Sequence, residues 1–84
     1  MMKFKEIELE QTRIVEELAK QCEEITGYEF TANWSNLKNC YLKYQEKMIF
    51  IVVFKGVTYR LFDNSGCEVE IDHLEQKLIQ SLLE

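Results

Sequence analysis

Seven consecutive apolar residues, Met48 to Phe54, break a chain whose other apolar positions recur at regular spacing. A strand with one solvated face alternates apolar and polar side chains, so an unbroken run predicts a strand covered on both faces. Upstream the period is that of a helix. Phe4, Ile7, Ile14, Leu18, Cys22 and Ile25 share one face, with Gln11 the polar interruption, and Gly27 supplies a stop. The start of this helix is open, because Thr12 is also a suitable cap. A helix over residues 4–26 is about 35 Å long, whereas a seven-residue strand spans about 23 Å. Its first turns therefore either overhang the sheet or are not helical.

After Gly27 the period changes to two. Tyr28, Phe30, Ala32 and Trp34 alternate with polar residues and predict a half-buried strand. Residues 40–44 predict a second, shorter strand, and the apolar run a third. A hairpin at Lys55 and Gly56 returns residues 57–62 antiparallel, and residues 67–71 alternate as a further strand after a turn at 63–66. Asp72, followed by Glu75, reads as the N-cap of a second helix whose apolar face is Leu74, Leu78, Ile79, Leu82 and Leu83. The order contains no βαβ unit. It predicts a two-layer α+β fold: an N-terminal helix, a four- or five-stranded antiparallel meander and a C-terminal helix, with both helices on one face of the sheet.

Composition narrows this only slightly. Eighty-four residues, 46% apolar and 30% charged, suit one domain over 1–84, and no segment reads as a membrane span or secretory leader. A cytoplasmic location follows as the default. Cys22, Cys40 and Cys67 form no close pair and leave an odd thiol in any disulfide scheme, which fits reduced, packed side chains. The net charge is −5, distributed as acidic ends around a basic middle between residues 30 and 62. Exposed ion pairs between such segments contribute only about 0 to 1 kcal/mol each.

Candidate chemistry is sparse. Three scattered glycines provide no phosphate-binding loop, and Cys22, Cys40, Cys67 and His73 are zinc-compatible ligand types without ligand spacing. His73, in the first turn of a helix, has no identifiable orienting partner for acid–base work or for activating Cys67. Trp34 continues the face of Tyr28 and Phe30 and reads as a core aromatic. No enzymatic activity, cofactor or metal is expected from these residues.

What remains is surplus apolar surface. If the helices cover the face carrying Phe30, Leu42, Tyr59, Leu61, Val69 and Ile71, the opposite face carries Tyr41, Lys43, Thr58, Arg60 and Phe62. Alternate residues of the apolar run must join it, either Ile49, Ile51 and Val53 or the Phe50 and Val52 set. Tyr41, Ile49, Ile51, Val53, Arg60 and Phe62 are accordingly the candidate contact residues for a homodimer or a partner protein. The basic, tyrosine-bearing middle suggests a stacking platform for single-stranded RNA. Net acidity and the lack of a basic cluster argue against direct nucleic-acid binding. A different class of function comes from the glutamates of the first helix. Glu16, Glu17, Glu23 and Glu24 form an acidic surface able to occupy a basic groove of a nucleic-acid enzyme. The size, acidity and helix, meander, helix order are loosely similar to small phage-encoded inhibitors, including some anti-CRISPR proteins, without a motif matched residue by residue. The main expectation is a non-enzymatic protein-interaction module that self-associates through the outer face of its sheet.

Overall fold

The computed structural model describes residues 4–83. Helix α1 spans Phe4–Thr26, strands β1 to β4 span Thr31–Trp34, Asn39–Tyr44, Lys47–Lys55 and Thr58–Asp63, and a 3₁₀ turn at Ile71–His73 leads into helix α2, Leu74–Leu83. The strands form one antiparallel sheet in the order β1-β2-β3-β4. This is the α+β meander between two helices that the periodicity predicts.

Helix α1 is helical from its first described residue. Gly27 ends it with φ of 76°, in the left-handed region that costs a residue with a Cβ, and its N–H donates to the Glu23 carbonyl at 2.7 Å. Gln11 is the first buried residue of the helix, and its side-chain amide donates to the Gly56 carbonyl in the β3–β4 turn at 2.8 Å. The two turns before Gln11 project past that end of the sheet, leaving Phe4 and Leu9 62% and 65% exposed. The molecule is correspondingly long, 42 Å against 23 Å in the other two directions.

The core is one cluster. Val15, Leu18 and Cys22 of α1 and Leu74 and Leu78 of α2 join Cys40, Leu42, Phe50, Val52, Phe54 and Leu61 of the sheet, together with Phe30, Ile49 and Val69. The register explains which strand residues enter it. Directly opposite residues in neighbouring strands share a face, so the rows Leu42, Phe50, Asp63 and Cys40, Val52, Leu61 lie on one side of the sheet. This side is the inner face.

Several expectations need correction. The first strand is shorter than predicted: Tyr28 and Phe30 precede it and pack on Tyr44, with ring centroids 4.8 and 6.1 Å apart. Residues 67–71 form no fifth strand: their pairing with β4 is limited to one bridge, Phe62 opposite Glu68, with the Asp63 N–H donating to the Cys67 carbonyl at 2.9 Å and the Val69 N–H to the Leu61 carbonyl at 2.7 Å. The buried Asp63 carboxylate is the reason, because it accepts hydrogen bonds from the N–H groups of Ser65 and Cys67 and from the Ser65 hydroxyl, curling the chain away from a ladder. Ile71, expected inside, is 46% exposed. The capping box at Asp72 is also absent, since the helical segment begins at Ile71 in a 3₁₀ turn whose N-cap is Glu70, without a side-chain cap bond.

Candidate interaction surface

The outer face of the sheet is organised by a β-bulge. Leu42 pairs with Phe50 while Lys43 pairs with Met48, so Ile49 has no opposite partner. A bulge places two residues against one and breaks the alternation locally. Both Ile49 and Phe50 are consequently fully buried. Ile49 therefore leaves the set of outer-face candidates, because the extra residue turns it into the core. Beyond the bulge alternation resumes and fixes the phase of β3, with Val52 and Phe54 inward and Ile51 and Val53 outward with Met48.

The other candidates fall on that outer face. Tyr41, Ile51 and Phe62 lie directly opposite one another across β2, β3 and β4, forming a row of three apolar side chains. The adjoining row is Asn39, Val53 and Arg60, and the pair Lys43 and Met48 lies on the other side. Tyr41, Met48, Ile51, Val53 and Phe62 are each half-buried, in contrast to the inner residues. Arg60 is tied down within the chain. Its guanidinium lies 5.3 Å from the Phe62 ring centroid and pairs with Glu68 at 2.5 Å, a bond that holds the Glu68 carboxyl below its ordinary range. Arg60 thus borders the apolar row as a stacked cation and is less free to reach another chain.

The glutamates lie elsewhere. Glu16, Glu17 and Glu24 are exposed on α1 and Glu23 is half-buried. Seven-residue spacing aligns Glu16 with Glu23 and Glu17 with Glu24 in two rows. Glu17 is engaged by Arg13 at 2.7 Å, and Arg13 also pairs with Glu10, whose carboxyl it holds below the usual value.

A second apolar region lies at the end of the sheet where α1 overhangs. Leu9, Gln11 and Thr12 of α1 face Trp34, Ser35, Asn36 and Leu37 across an open groove of about 590 Å³. Trp34 is not a fully buried core residue: it stacks on Phe54 with centroids 5.6 Å apart and stays 38% exposed, and Leu37 is 62% exposed. Sequence periodicity missed this region because the exposed side chains sit on a loop and on an overhang, where alternation carries no information.

The thiols do not come together. Cys22 and Cys40 are buried, and burial pushes them up to about 12 and about 11; Cys67 is exposed, contrary to the expectation of three packed thiols. Among the described residues no three His, Cys, Asp or Glu side chains are placed to hold a metal ion, and no helix is long and apolar enough to cross a membrane. Asp63, the buried carboxylate, is held below its ordinary value first by the Ser65 hydroxyl, then by the two backbone donors and by Lys77 at 3.6 Å. Its acceptors are spent on the turn. Comparison of the chain with family models, with curated proteins and with solved structures gives no match.

Proposed function

We propose that this chain is a protein-interaction module without catalytic activity, with both helices over the inner face of the sheet and the outer face available to a second copy. The observation that carries the reading is the continuous apolar row Tyr41, Ile51 and Phe62, extended by Met48 and Val53. The polar groups best suited to chemistry, Asp63, Arg13 and Arg60, are instead engaged in holding a turn, a helix face and the β4 edge.

The size of the face sets the strength of the association. Four strands about 4.8 Å apart, with about five residues of 3.3 Å each, offer roughly 300–400 Å². A standard stable interface uses about 800 Å² per partner, so this face alone supports a weak, concentration-dependent pair. Burial of an aliphatic side chain stabilises by about 1.5–3 kcal/mol, which makes Ile51 and Val53 its main anchors. A dilution series followed by amide chemical shifts tests the assignment. Shifts concentrated at Tyr41, Met48, Ile51, Val53 and Phe62 support it; shifts confined to the glutamate rows of α1, or no concentration dependence up to millimolar protein, refute it.

A further inference from the structure

The outer face ends at β1, an open edge of the sheet. All four residues of β1, Thr31 to Trp34, are exposed, and β1 is hydrogen-bonded on one side only, to β2. Exposed edges are protected by short length, by charge or proline, or by a bulge, and of these β1 has only short length, at four residues. This strand is uncharged, proline-free and in unbroken register with β2. Along an antiparallel pair the backbone groups of alternate residues point at the neighbour. The Ser35 N–H donates to the Asn39 carbonyl at 3.0 Å, so residues 31, 33 and 35 face β2. The N–H and C=O groups of Ala32 and Trp34 point away from it, at the open edge.

We propose that β1 pairs antiparallel with β1 of a second copy about a two-fold axis at Asn33, joining two sheets into one of eight strands. In that register Ala32 lies opposite Trp34 of the second copy, and the four outward backbone groups of each copy make four hydrogen bonds between them. The side chains fit the same register. Ala32 is small and exposed, which leaves room beside it for the half-exposed indole of the other copy's Trp34. Asn33 meets its own equivalent on the outer face, where two amides pair without charge repulsion.

Area relates the edge pairing to the outer face, which the paired copies leave open to a further copy. One outer face is about half the roughly 800 Å² per partner of a stable interface. Edge pairing makes the two outer faces continuous and brings the combined surface to about that size. This part of the argument rests on the proposed role of the outer face; the edge geometry does not.

The direct test is Asn33→Cys in a Cys67→Ser background, oxidised with copper phenanthroline, which takes the two electrons as the thiols lose their protons and the S–S bond forms. Opposed residues of this pair type have Cα atoms about 4.5 Å apart, within disulfide range. The expected result is a covalent dimer at Asn33→Cys and at least tenfold less at Thr31→Cys, whose opposite residue is Ser35. Asn33→Lys sets two ammonium groups against each other and should lower the solution mass, as should Ala32→Pro, which removes an outward N–H and leaves the β1–β2 ladder intact. Equal cross-linking at positions 31 and 33, no cross-link at 33, or an unchanged mass for folded Asn33→Lys overturns the proposal. Ile51→Lys separates the two surfaces: cross-linking at 33 that persists while Ile51→Lys leaves the mass of the assembly unchanged keeps the edge pairing and removes the outer-face reading.

Discussion

Ile49 and Ile51 are two residues apart in an unbroken apolar run, and simple alternation puts them on the same face. The bulge puts them on opposite faces. Ile49 is fully buried in the core cluster, so truncation to alanine removes three carbons from a packed site and should cost about 2–5 kcal/mol. Ile51 lies half-exposed between Tyr41 and Phe62, where a cross-strand contact contributes about 0.2–1 kcal/mol. The whole domain, at roughly 0.05–0.15 kcal/mol per residue, is stable by about 4–13 kcal/mol. Ile49→Ala therefore removes a large share of the stability. With a urea slope of about 1–3 kcal/mol/M, its midpoint should fall by on the order of 2 M and that of Ile51→Ala by well under 1 M. Trp34, stacked on Phe54, reports the transition by fluorescence. The measurement belongs at micromolar protein or below, where association through the outer face adds nothing to Ile51. Equal losses for the two variants, or a larger loss for Ile51→Ala, would refute the assigned phase of β3.

The remaining predictions concern polar groups. Of the three thiols only Cys67 should react with iodoacetamide in the native state at pH 8, because burial raises Cys22 and Cys40 well above that pH; three equivalent reactivities by mass spectrometry would contradict their burial. Asp63→Ala should cost about 1–3 kcal/mol by stranding the Ser65 and Cys67 donors. Because the folded carboxyl lies below its unfolded value of 3.8, its stabilisation is fully present above about pH 4 and is lost as pH falls through the folded pKa. In an acid titration wild type should stay more stable than Asp63→Asn above about pH 4 and the two curves should converge as pH falls below it, and parallel curves throughout would exclude this. Gln11→Ala should cost about 1 kcal/mol and loosen the β3–β4 turn, read as faster amide exchange around Gly56; unchanged exchange there would mean that the α1 contact does not hold the turn.

How much of this was legible in the sequence depends on what signal each feature leaves. The body and end of helix α1 were legible, since its apolar stripe continues to Cys22 and a glycine stands where the chain takes a positive φ, but its start was not, because Thr12 read as an equally suitable cap. The meander was legible from alternation and turn residues. The bulge was not, because Met48 to Phe54 are all apolar and a shift of phase leaves no polar residue out of place. That is why Ile49 entered the candidate surface wrongly while Tyr41, Ile51, Val53 and Phe62 fell on one face. Gln11 read as an interruption of the stripe and is instead a buried bond to the far hairpin. Residues 67–71 had the alternation of a strand, but the Asp63 side chain offered their backbone other partners. Propensity and period do not report such contacts: Gln11 bonds a residue 45 positions away, while the bulge and the Asp63 turn depend on pairing and side-chain bonds that an apolar pattern does not show.

The apolar run now has a specific division: Ile49, Phe50, Val52 and Phe54 build the core, and Met48, Ile51 and Val53 face outward with Tyr41 and Phe62. Sedimentation equilibrium of wild type and Ile51→Lys across micromolar to millimolar concentration tests the claim that this outward set is an interface. The account predicts a wild-type mass that rises with concentration and a lower mass for folded Ile51→Lys at the high concentrations where the outer face associates. Superimposable curves for the two proteins would contradict it.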